Sequence, residues 1–173
     1  MAARGTAIDI DRILAEHLDA VWNDLKKLND LAVVCLRQRK PAMAERALRR
    51  VLASDPTNPG VVSNLAVALQ MQDKHQQAYE LLVDAVTARP DDAALQFNLG
   101  GVLASLGRNE QALEHIESSE RLGNDGARLF VAKSKVLVRL GRIDDARSTL
   151  ERGSRLYPQH AEIGELLGIL QSQ

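Results

Sequence analysis

One cysteine, Cys35, is all the chain contains, so no internal disulfide can staple it. Aromatic residues are nearly as scarce, with two Phe, two Tyr and one Trp among 173 residues. Any interior must therefore be filled by Leu, Ala, Val and Ile. Neither sign of charge prevails, with 22 Lys and Arg against 23 Asp and Glu. That balance argues against a nucleic-acid or membrane-surface role, which usually needs a basic excess. No apolar run approaches the ~18 residues of a membrane span, and the opening MAARGTAIDID has no apolar signal-peptide core. A cytoplasmic protein with no nucleic-acid or membrane partner is the expectation. Motifs that carry chemistry are missing too. His17, His75, His115 and His160 are scattered, with no HExxH and no paired metal spacing, and no glycine-rich phosphate loop occurs. Cys35 falls on an apolar helix stripe, which suits a buried small hydrophobe better than a nucleophile. The chain thus reads as a non-enzyme with no catalytic residue, no metal and no cofactor.

What the chain does have is a period. The stretch 59–90 holds two short amphipathic segments with a turn between them, and its small residues return every thirty-four positions. Ala66 is echoed by Ala32, Gly100, Ser134 and Gly168. Ala78 is echoed by Ala44, Ala112 and Ala146, and Pro90 by Pro56 and Pro158, with Asn124 as the exception. Between these marks the apolar residues step by three and four, as helical faces do. This spacing divides the chain into an N-terminal capping helix over 1–24, repeats over 25–58, 59–92, 93–126 and 127–160, and a lone helix over 161–173. The first segment carries the stripe Ile10, Leu14, Leu18, Val21, Leu25 and Leu28, and Thr6 with Asp9 fits a capping box that starts a helix near Ala7. No Gly or Pro lies between Gly5 and Pro41, so residues 7–38 form either one helix or two, with a break near Asn23 or Asn29. That stripe serves either as a cap on the first repeat or as the seam of a homodimer. The last helix, GELLGILQSQ, stays apolar almost to its end, so it either solvates the array or pairs with another copy.

The pattern resembles the tetratricopeptide repeat (TPR), four units plus an unpaired C-terminal helix, over about residues 25–173. Period and small residues carry the resemblance; aromatics do not. Val62, Leu69 and Leu82 stand where Trp, Tyr or Phe are common in the family, and the third unit departs furthest, with Gln96, Ser119 and no proline. The resemblance implies an all-α fold, a right-handed superhelical array of helix–turn–helix repeats (an α-solenoid). It further implies that the first helix of each unit lines a concave groove that holds a peptide or helix of another protein. The groove residues so implied are Asn29, Asn64, Val67, Met71, Phe97, Asn98, Gly101, Arg128, Lys135 and Arg139, with Val131 beside them. Apolar residues in the middle and cations toward the fourth unit suit a peptide with apolar anchors and an acidic end. Of the clamp that some family members use for chaperone tails, only Asn64 is present, so such a tail is not expected. Gly100 reads as a close approach of two helices, and Gly101 as either the same or room for a ligand backbone. The cluster Arg37, Arg39, Lys40, Arg46, Arg49 and Arg50 reads as solvated helix faces. The function implied is a non-catalytic protein-interaction scaffold or adaptor. Two alternatives stay open: a small TPR chaperone for a secreted or membrane-destined client, and a regulatory or targeting domain of a larger enzyme.

Overall fold

The computed structural model describes residues 9–172, which form ten helices and no strand. In chain order these are α1 (Ile10–Ala20), α2 (Leu25–Arg37), α3 (Pro41–Leu52), α4 (Pro59–Gln70), α5 (His75–Ala88), α6 (Ala93–Ser105), α7 (Asn109–Arg121), α8 (Ala127–Arg139), α9 (Ile143–Leu156) and α10 (Ala161–Gln171). They fall into two compact units, residues 1–73 and 74–173.

In the first unit, residues 10–37 form two helices rather than one. The break lies near Asn23, because Asp24 turns its carboxylate onto the Lys27 amide at 3.1 Å and so caps a new helix. Hydrogen bonds from the Lys27 amide and side chain hold the Asp24 carboxyl below the usual carboxylate range. Asp9 itself caps α1, accepting from the Arg12 amide at 3.1 Å, and the described helix begins at Ile10; Ala7, the expected start, lies outside the described residues. The Thr6 half of the expected box lies outside the described residues. Pro41 and Pro59 open α3 and α4, where a missing amide hydrogen costs nothing. Leu18, Leu28, Ala32, Cys35, Ala44, Leu48 and Ala66 are buried. Burial pushes the Cys35 thiol above its ordinary value, as befits a core residue and not a nucleophile. The basic cluster is partly neutralised at home. Lys40 lies 2.6 Å from Asp11, Arg46 lies 2.9 Å from Asp19, and Arg49 lies 2.7 Å from Glu45. The Arg46 guanidinium also stacks over the Trp22 ring at 4.7 Å. The Asp11 and Asp19 pairs link α1 to the start and middle of α3, although Ile10 and Ile13 stay 46% and 38% exposed.

In the second unit the small-residue marks sit where helices cross. Ala78, Ala112 and Ala146 are wholly buried. A Cβ on Gly100 would fall 2.7 Å from Ile116 Cγ1 and 3.0 Å from the Ala112 carbonyl oxygen, so α6 and α7 meet there through bare backbone. Gly153 does the same on α9, where a Cβ would lie 2.9 Å from Phe130 Cβ on α8. Lys133 joins α8 to α7 through Glu120 at 2.8 Å and Glu117 at 3.2 Å. Arg152 of α9 also pairs with Glu120 while lying 4.9 Å over the Phe130 ring.

The hairpin 93–126, whose residues depart from the repeat, balances its polar substitutions internally. Buried Gln96 donates to the Pro90 carbonyl at 2.7 Å, and its Oε1 lies 2.7 Å from His115 Nδ1. Since an amide oxygen only accepts, Nδ1 carries the imidazole proton. Desolvation lowers the His115 pKa below the ordinary histidine value. Wholly buried Ser119 donates to the Ala93 carbonyl at 2.7 Å and accepts from Asn124 Nδ2 at 2.9 Å. Asn124 thus closes the unit by hydrogen bonds where the other units have proline.

The turns repeat as faithfully as the helices. Arg39, Asp73, Gly107 and Gly141, each thirty-four residues from the next, all adopt left-handed backbone with φ of 56°, 57°, 75° and 74°. Amides one residue further on fold back across the helix ends, Lys40 to the Cys35 carbonyl at 2.8 Å, and Arg108 to Leu103 and Arg142 to Leu137 at 2.9 Å.

Candidate functional site

The residues expected to line a groove sit on α2, at and just after α4, on α6 and on α8. Within the first unit α2 and α4 lie side by side, and Asn29 and Asn64 line one pocket of about 350 Å³ with Lys26, Asp55, Asn58 and Gly60. The Asn29 Oδ1 atom is buried with no hydrogen-bond partner. Such an unpaired acceptor typically costs ~1–3 kcal/mol. Val67 is half-buried on α4, and Met71 is exposed just beyond its last turn.

Within the second unit α6, α8 and α10 lie side by side, and two exposed side chains of the expected set bridge them. Arg139 of α8 donates to the Ala104 carbonyl of α6 at 2.9 Å. Lys135 of α8 pairs with Glu162 of α10 at 2.7 Å, and that hydrogen bond holds the Glu162 carboxyl below its usual range. Phe97, Asn98 and Gly101 are half-buried on α6, while Arg128 is exposed in the first turn of α8. Val131, which the resemblance set beside the groove, is buried.

A second pocket, of about 320 Å³, opens between α8, α9 and α10. Lys135 and Arg139 stand in its wall beside Val138, Ile143, Leu166 and Ile169. The α10 contribution was not among the expected site residues. Its one signal in the sequence is the run of apolar residues in GELLGILQSQ.

Among the described residues no cluster of three or more His, Cys, Asp and Glu is placed to hold a metal. No helix among the described residues is long and apolar enough to cross a membrane.

The profile of the tetratricopeptide repeat matches residues 69–133, and a second profile of the same repeat matches residues 127–152. Residues 69–152 thus carry tetratricopeptide repeats, and the ten described helices are consistent with that repeat. A coatomer epsilon subunit profile matches residues 13–99, about half of the chain, and shares residues 69–99 with the first TPR match. No curated protein matches the chain in sequence. Among solved structures, a thermophilic TPR protein of Thermus thermophilus superposes with a TM-score of 0.79 at 20% identity. That superposition covers 94% of this chain and 89% of that one. MamA of Desulfovibrio magneticus RS-1 gives 0.71 at 18% identity, over 86% and 84% of the two chains. A mutant O-GlcNAc transferase of Thermobaculum terrenum gives 0.71 at 25% identity, over 77% of this TPR chain but 26% of the enzyme.

Proposed function

We propose that this TPR chain is a non-catalytic, cytoplasmic scaffold or adaptor that binds a peptide or helix of another protein along the faces of its first helices. The repeats under this reading are 25–58, 59–92, 93–126 and 127–160, with 1–24 and 161–173 as terminal helices. One observation carries it: in each unit expected groove residues line an open pocket, Asn29 of α2 with Asn64 of α4 in one, and Lys135 with Arg139, both of α8, in the other.

The test is a captured partner, titrated against Asn64→Ala with Asn98→Ala and separately against Lys135→Glu with Arg139→Glu. Either pair is expected to weaken binding at least tenfold, in line with the ~1–2 kcal/mol that contact residues near an interface centre contribute. Unchanged affinity in both would move the binding surface elsewhere. A second reading, a targeting domain of a larger enzyme, is favoured by the likeness to the O-GlcNAc transferase, of which such a domain would be a minor part. A longer reading frame that encodes a catalytic domain would select it.

A further inference from the structure

We propose that the pocket between α8, α9 and α10 is an anchor site for an acidic segment of a partner protein, taking one bulky aliphatic or aromatic side chain with a carboxylate close beside it. This deepens the scaffold reading and rests on it.

The repeat supplies its own control. Shifting the pocket back by thirty-four residues turns Val138 into Ala104, Ile143 into Asn109, Leu166 into Ala132 and Ile169 into Lys135. Four positions that are small or polar in the preceding register are thus all large and apolar in this one. Two of them stay open to solvent, Val138 at 40% and Ile169 at 55% exposure. In the preceding register, Arg139 also reaches across to the Ala104 carbonyl. Val138 and Ile169 are thus apolar surface that the fold leaves uncovered.

Charge selects the occupant. Arg139 has a neutral carbonyl as its partner, so its positive charge is not cancelled. Lys135 shares its charge with Glu162. Arg142 and Arg147, at the α9 end, are matched by Asp145 and Asp144. A net positive rim around an apolar floor disfavours a basic segment and attracts a carboxylate. The guanidinium keeps further N–H donors in a planar fork suited to that carboxylate. At about 320 Å³ the pocket lies at the small end of ligand sites, which suits a side chain better than a cofactor.

The experiment titrates the full chain with short fluorescein-labelled peptides carrying Leu and Asp in a Ser and Gly background. Companion peptides replace Asp by Asn, Asp by Lys, or Leu by Ser. The acidic Leu peptide should bind saturably and at least tenfold more tightly than each companion, and its affinity should fall as salt screens the charges. Arg139→Gln and Ile169→Ser should each cost tenfold or more, with helicity and melting curves unchanged because both side chains are exposed. Equal affinity for the Asp and Lys peptides, no saturable binding, or indifference to both variants would each overturn the proposal. So would a concentration-dependent mass that Ile169→Ser abolishes, which would assign the pocket to a second copy of the chain. If a captured partner is lost by Asn64→Ala with Asn98→Ala but kept by Ile169→Ser and Arg139→Gln, the scaffold reading stands and the anchor pocket falls. Indifference of that partner to all of these variants removes both.

Discussion

Gly100 and Gly168 occupy the same register two periods apart, yet replacing each by alanine should change stability in opposite directions. In a helix interior, alanine is favoured over glycine by ~0.8–1 kcal/mol. At Gly168 nothing lies within 4 Å of the added methyl, so only that gain operates. It falls near the end of α10, which places the expected stabilisation at about 0.5 kcal/mol. At Gly100 the same gain meets Ile116 Cγ1 at 2.7 Å and the Ala112 carbonyl oxygen at 3.0 Å. Ile116 is fully buried and β-branched, and the carbonyl is backbone, so neither gives way without α7 shifting as a body. Overpacking of this kind costs ~1–3 kcal/mol, and contacts this short belong to the upper part of that range. The net expectation for Gly100→Ala is a loss of about 1–2 kcal/mol. With a urea slope of ~1–3 kcal/mol/M the midpoint should fall by roughly half a molar or more, while that of Gly168→Ala holds or rises. Helical circular dichroism during urea titration reads both, compared as midpoints because repeat chains need not unfold in one step. A neutral or stabilising Gly100→Ala would refute the bare-backbone crossing of α6 and α7, and with it the physical meaning assigned to the small-residue period.

Ala112→Leu should destabilise by ~1–3 kcal/mol for want of space at a wholly buried site, whereas Ala88→Leu, at an exposed one, should leave the melting temperature nearly unchanged. Ser119→Ala removes the donor to the Ala93 carbonyl and should cost ~1–3 kcal/mol, seen as a lower denaturation midpoint. Arg39→Gly relieves left-handed backbone at a residue with a side chain and should stabilise by about 1 kcal/mol in the same assay. His115, with its pKa lowered by desolvation, contributes stability that is present above the ordinary histidine range near pH 6.5 and lost as pH falls through its lowered value. Urea midpoints at about pH 7.5 and 5.5 should therefore differ less for His115→Gln than for the parent chain.

Helix pairs were legible because the property that encodes them is local and repeated. A small residue at a crossing has no substitute, so Ala32, Ala44, Ala66, Ala78, Ala112 and Ala146 mark the crossings without any knowledge of the partner face. The break after α1 was harder to place. No Gly or Pro marks it, and it depends on Asp24 acting as a cap, which the sequence shows only as one polar residue among several. Gln96, Ser119 and Asn124 read as departures because their partners, the Pro90 and Ala93 carbonyls and His115, become neighbours only in the folded hairpin. Candidate site residues fared by the same logic. The resemblance set Asn29, Asn64, Lys135 and Arg139 on first helices, and Lys135 and Arg139 lie one turn apart on α8. The pocket wall from α10 lay beyond that reasoning, because it is made by side chains of the terminal helix meeting α8 and α9.

The hairpins α2–α3, α6–α7 and α8–α9 join residues that are close along the chain, and their strongest links run to the helices just before or after them. Chains with such proximate pairings fold quickly, since little loop closure must precede the first rewarding contact. During synthesis, a hairpin leaving the ribosome would meet the one before it already formed, and would need nothing from the part still to be translated. Growth in order, one docking at a time, is then a natural path within each unit.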